Sequence, residues 1–181
     1  MKGGAEMEGE RRVIFDTNAL ITACKFSVQG RRLIEWILQD HTVVVPLAVG
    51  EEAIRGKNRH EDAAVAARLI DAQKIQVEQV VVPQESFLHD YDLGRGEKEA
   101  IYLYLAQKDR VVALVTDDKL AYIVCDRMSI TKQLFLDFVL GLVRQGALVA
   151  DLAREIIEVC RPRYSKGLVS HSLALLQEVE R

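Results

Sequence analysis

Cysteine is scarce in this chain and does not pair. Cys24, Cys125 and Cys160 lie far apart and are odd in number, which fits neither a disulfide framework nor a Cys-x-x-Cys metal site and suits a reducing cytosol. All three sit in apolar helical contexts, where a thiol packs as a small hydrophobe. Histidine is as sparse: His41, His60, His89 and His171 never pair at metal-ligand spacing. There is no Gly-x-x-x-x-Gly-Lys-[Ser/Thr] loop and no Gly-x-Ser-x-Gly elbow, which argues against a P-loop NTPase and a serine hydrolase. Gly94-Arg95-Gly96 lacks the preceding strand and the third glycine of a dinucleotide loop. A phosphoacceptor receiver would need an aspartate where Val81-Val82-Pro83 ends a strand. Net charge is low as well, formally −3, which excludes a bulk electrostatic grip on nucleic acid but leaves room for local basic groups such as Arg31-Arg32, Lys57-Asn58-Arg59, Lys119 and Arg127. No apolar run is long enough to span a bilayer, and residues 1–11, charged and glycine-rich, read as a flexible tail without a signal-peptide core. No internal repeat supports a solenoid.

What is present is alternation of two hydrophobic periods. Hydrophobic residues make up 49% of the 181 positions, enough for one sizeable core with a helical extension. Val13-Ile14-Phe15 reads as a buried strand that ends in Asp16 and turns at once into a helix reaching about Phe26, which Thr17 or Asn18 can cap. A helix over 31–39 follows, then a strand over 41–45. Pro46 stops that strand and suits the first turn of a helix over 47–54. A helix over 60–73 and a strand over 74–82 come next, the strand ending at Pro83. Residues 84–96 read as loop, and a helix spans 97–108. Val111-Val112-Ala113-Leu114-Val115 is the clearest buried strand and runs straight into Thr116-Asp117-Asp118, repeating the opening design. Helices are expected to about 125, over 130–143, and at 149–160 and 165–179 on either side of Pro162. Strands alternating with helices predict an α/β fold: three layers, α/β/α, around a central parallel sheet, with extra C-terminal helices.

In such a sheet Asp16 and the Thr116-Asp117-Asp118 turn leave the same carboxyl edge, where ligands bind in open α/β folds. Asp16 alone has two readings, helix cap or chemistry. Adjacent strand residues point to opposite sides, so Asp117 and Asp118 do not both face Asp16, and Asp118 is favoured. Glu97 opens a helix at its positive dipole end, and Glu51 and Glu52 lie on the helix after Pro46. Crowded carboxylates repel and take up protons unless a cation neutralises them; all-oxygen ligands suit Mg²⁺ or Mn²⁺ rather than Zn²⁺.

Phe15-Asp16-Thr17-Asn18, Val45-Pro46 followed by Glu52, Gly94-Arg95-Gly96-Glu97-Lys98-Glu99-Ala100-Ile101 and Val115-Thr116-Asp117-Asp118, in that order, resemble the PIN-domain nucleases over residues 12–146. The resemblance implies a nuclease domain at 12–146, with the tail at 1–11 before it and a helical extension at 147–181. It implies a catalytic, metal-binding quartet of Asp16, Glu52, Glu97 and Asp118, with Asp117 as a further metal residue and Asn18 and Thr116 in support. It also implies a cytoplasmic endoribonuclease that uses Mg²⁺ or Mn²⁺ and a metal-activated water to cleave RNA. Toxin of a toxin–antitoxin pair, with an antitoxin protein as partner, is one expected context; RNA processing is another. The alternative is an inactive PIN-like scaffold that binds RNA or protein. Where the family leads one to expect an arginine about one turn after the aspartates, this chain has Tyr122. Leu168, Leu175, Leu176 and Val179 on the last helix predict either a homodimer contact or an outer layer on the chain's own sheet.

Overall fold

The computed structural model describes residues 11–179, so the tail expected at 1–11 lies outside it except for Arg11. Among these residues the chain forms a five-stranded parallel sheet in the order β5-β4-β1-β6-β7. The strands are β1 (Arg12–Phe15), β4 (Thr42–Pro46), β5 (Ile75–Glu78), β6 (Val111–Val115) and β7 (Lys132–Gln133), and a separate antiparallel hairpin joins β2 (Ser27–Val28) to β3 (Arg31–Arg32). Val13, Ile14 and Phe15 are fully buried because β1 is the central strand and both its faces are covered. Alternation divides them. Val13 and Phe15 join one core with Val43, Val45 and Val115, whereas Ile14 joins the other with Val44 and Leu114.

The helices that cover these faces are α1 (Thr17–Lys25), α2 (Leu33–Ile37), α3 (Leu47–Ala53), α4 (Glu61–Asp71), α5 (Arg95–Ala106), α6 (Lys119–Arg127), α7 (Phe135–Arg144), α8 (Ala150–Val159) and α9 (Lys166–Val179). α5 and α6 cover the Ile14 face and the others build the Val13 face, giving the three-layer α/β/α fold. Phe15 meets Phe135 and Phe138 of α7 edge-on, with ring centroids 6.3 and 5.6 Å apart. The closing helices share this core: Leu152, Ile156 and Ile157 of α8 and Val169 and Leu176 of α9 are buried in it, while Leu168, Leu175 and Val179 are half-buried. No helix among the described residues is long and apolar enough to cross a membrane.

Three elements differ from the sequence reading. The helix expected at 31–39 is only Leu33–Ile37, because Gln29 (φ 51°) and Gly30 (φ 74°) turn the preceding residues into a tight hairpin. β5 stops at Glu78 rather than at 82. Its last partner is Pro46, where β4 ends, so residues beyond 78 have no ladder to join. The helix expected from 130 begins at Phe135, since Thr131 and Gln133 carbonyls accept the Leu114 and Thr116 amides and make a short fifth strand.

Candidate active site

β1 and β6 are neighbours, so their carboxyl ends deliver Asp16 and Asp118 side by side in the sheet. Asp16 caps α1, its Oδ1 accepting the Ala19 amide at 2.7 Å, and its Oδ2 accepts the Asp117 amide at 3.2 Å. Only 2% of it is exposed. Burial raises its pKa from 3.8 to about 6, against the lowering by hydrogen bonds from Ala19, Thr116 and the Asp117 amide; the Asp117 charge raises it further. Asp118 caps α6 through Ala121, and its own amide donates to Thr116 Oγ1 at 3.2 Å. Thr116 thereby links the two strand ends.

Glu52 on α3 accepts the Thr17 hydroxyl at 2.7 Å, which draws α3 onto the first turn of α1. Gly96 makes that approach possible: a Cβ there would lie 3.2 Å from Val49, 3.4 Å from Thr17 Oγ1 and 3.5 Å from Glu52 Oε2. Glu97 folds back over Gly94, where a side chain would collide with its carboxylate. Between these elements opens a cavity of about 340 Å³ lined by Glu51, Glu52, Arg55, Asp92, Arg95, Glu97 and Asp118. Of the expected quartet, Glu52, Glu97 and Asp118 line the cavity. Asp16 is not on its wall and is linked to it through Thr116 and Thr17.

Asp117 is placed elsewhere. Its Oδ1 accepts the Phe135 amide at 3.0 Å and its Oδ2 the Tyr164 hydroxyl at 2.5 Å, tying β6 to α7 and to the turn before α9. Asn18 accepts from Arg163 of the same turn at 3.4 Å. Tyr122 carries Lys132 over its ring at 5.1 Å. The three cysteines are buried, and desolvation pushes each thiol up to about 12.

Glu99, to which the sequence reading assigned no role, is a structural part of the site. It is 6% exposed; Oε2 accepts the Ala48 amide at 2.9 Å and Oε1 accepts from Arg95 Nε at 2.7 Å. The signal was Pro46. As N-cap of α3 it has no side-chain acceptor to offer, so that helix start needs an acceptor from another element. Arg55, Arg163 and Tyr164 carried no comparable signal, because only the fold brings them to this edge.

Among the described residues no three His, Cys, Asp or Glu side chains are close enough to hold a metal ion as they stand. The donor chemistry nonetheless fits a hard divalent cation. The carboxylates of the cavity are oxygen ligands, and Asp16 is a buried acid whose ionisation is unfavourable until positive charge arrives. Among solved structures the chain is similar to one described as a domain of a functionally unknown protein from Methanocaldococcus jannaschii DSM 2661, with 19% identity, a TM-score of 0.44, and coverage of 68% of this chain and 90% of that one. No curated protein matches. A family model described as a PIN domain matches residues 12–178, closing helices included. The chain therefore belongs to the PIN-domain family.

Proposed function

We propose that this protein is a divalent-metal-dependent endoribonuclease whose acidic cavity at the carboxyl edge of β1 and β6 binds the scissile phosphodiester. PIN domains are generally nucleases and typically use divalent metals. The observation that carries the reading is Asp16, a buried carboxylate with its pKa raised to about 6, set behind a cavity lined by Glu52, Glu97 and Asp118. Ionising a carboxylate in that setting costs stability that a neutral capping side chain would not, which supports a chemical role for it.

Glu52, Glu97, Asp118 and Asp16 would hold Mg²⁺ or Mn²⁺. When bound, the ion supplies Lewis acidity for water and for the phosphate oxygens. The chain's own residues fix the geometry: Thr17 orients Glu52, the Ala19 and Asp117 amides orient Asp16, and Glu99 locks α3 to α5. The test is cleavage of a short single-stranded RNA by the full chain. Cleavage that persists in excess chelator, or in Asp16→Asn, sinks the proposal.

The cellular role we propose is that of a toxin restrained by an antitoxin protein in the cytoplasm. Expression of the chain should then arrest growth and Asp16→Asn should not; arrest by both would remove the toxin reading. A homodimer through the half-buried leucines of α9 completes the proposal, and a monomer mass in light scattering at micromolar concentration would eliminate it.

A further inference from the structure

A cavity bordered by this many carboxylates repels the phosphodiester it is read as binding. Some cation of the chain must offset that repulsion along the strand, and Tyr122 does not carry one. Arg95 is on the cavity wall, but Glu99 Oε1 and Glu51 Oε2 already engage it at 2.7 and 3.3 Å. Two other arginines are not committed in that way. Arg55 lines the cavity from the end of α3, is exposed, and among the described residues its side chain makes no ion pair. Arg163 is exposed on the turn before α9, and among the described residues its side-chain hydrogen bond goes to the neutral amide oxygen of Asn18, one residue beyond Thr17 on α1.

The placement of Arg163 is specified rather than incidental. Its neighbour Tyr164 is half-buried and donates to Asp117, whose other oxygen is held by the Phe135 amide and whose own amide donates to Asp16. The turn is thus pinned to the end of β6, and Arg163 is carried over the first turn of α1. The Thr17 to Glu52 hydrogen bond joins that turn to α3, from which Arg55 projects.

We propose that Arg55 and Arg163 form a two-sided phosphate clamp that holds a single RNA strand across the acidic cavity. Arg55 contacts the strand on the α3 side and Arg163 on the α1 side. This rests on the nuclease reading and adds the residues that grip the substrate, and it gives the C-terminal turn a part in binding.

The experiment measures binding of a fluorescent single-stranded RNA by anisotropy at several salt concentrations. It uses the full chain in excess chelator and, in parallel, the Asp16→Asn chain, so that no cleavage intrudes. Each phosphate contact on a single strand adds about 0.7 to the slope of log affinity against log salt. Arg55→Ala and Arg163→Ala should each weaken binding and lower that slope by about 0.7, the double variant by about twice as much. Arg127→Ala, at the far end of α6, should leave the slope unchanged. Arg163→Lys should restore the slope, as a point charge does on a phosphate, which a packing role for Arg163 would not produce. Unchanged slopes in both alanine variants, with RNA still bound, overturn the clamp and leave the nuclease reading standing. No RNA binding by the unaltered chain in chelator or by the Asp16→Asn chain with Mg²⁺ overturns the clamp, and the nuclease reading then stands or falls by the cleavage assay.

Discussion

The two strand ends, β1 into α1 and β6 into α6, use the same local device: an extended aspartate whose Oδ1 accepts the amide three residues on, at 2.7 Å in each case. Asp16 has φ −76° and ψ 175°, Asp118 φ −76° and ψ 124°. They differ in setting. Asp16 ends the central strand and is 2% exposed, whereas Asp118 lies one strand further out, half-buried on the cavity wall. Capping explains why both positions are aspartate. It does not explain a buried carboxylate that resists ionisation, because asparagine or serine would cap α1 without that cost. The comparison separates what an aspartate does for its helix from what it does for the site.

The largest effect expected is on cleavage. Asp16→Asn and Asp118→Asn keep an N-cap oxygen and should each lower the rate by at least about a hundredfold with the fold intact by circular dichroism. Full activity in Asp118→Asn beside an inactive Asp16→Asn would confine the chemistry to the buried strand end and break the pairing of the two.

The next effect is on stability and depends on pH. The pKa of Asp16 is raised in the folded chain, so its contribution is favourable while it is protonated, below its ordinary value of 3.8, and is lost as pH rises through about 6. The loss is on the order of 3 kcal/mol. Asp16→Asn should therefore stabilise the metal-free protein at pH 7 by up to that amount, reduced by the Asp117 amide that loses its acceptor, and should give no gain at pH 4. Denaturant unfolding at the two pH values decides it; equal gains would show that ionisation of Asp16 is not the cause.

Metal addition sharpens the same contrast. If Asp16 belongs to the ion's donor set, millimolar Mg²⁺ or Mn²⁺ should raise the Tm of the unaltered chain in a concentration-dependent way, by about 2.7 kcal/mol of stability at a hundred times Kd. The rise should be largely lost in Asp16→Asn. An equal rise in both chains would place the ion away from the central strand.

These contrasts rest on residues that differ in how far sequence exposes them. Val13-Ile14-Phe15 and the Val111 to Val115 run could be recognised as strands because each is apolar at every position and leads into an acid, although Val112 is exposed, and parallel pairing then put both acids on one edge. Alternation also separated Asp117 from Asp118: Asp117 turns to Phe135 and Tyr164, while Asp118 lines the cavity. β7 was hidden, since a two-residue strand has no period to detect. The burial of Glu99 was hidden for a different reason. Glu97 and Glu99 are alike in sequence, and what distinguishes them is the Ala48 amide of another helix, which only the tertiary fold brings to Glu99. Arg163 lies 145 residues from Asn18 and Tyr164 lies 47 from Asp117, separations across which local pattern carries no information.

The smallest effect is that of the caps themselves. Asp118→Ala removes one acceptor from the Ala121 amide of α6 and should cost about 1 kcal/mol. Asp16→Ala removes the equivalent acceptor from α1 and also strands the half-buried Asp117 amide, which adds to the cost. Yet it abolishes the ionisation penalty too. At pH 7 the opposing contributions should nearly cancel, whereas at pH 4, with Asp16 protonated in the unaltered chain, Asp16→Ala should be destabilising by about 2 kcal/mol. The two alanine variants would then change rank with pH: Asp118→Ala the less stable at pH 7, Asp16→Ala the less stable at pH 4. Parallel denaturant curves for both variants test this directly. A ranking that stays the same at the two pH values would mean that Asp16 and Asp118 do the same work, with burial adding nothing.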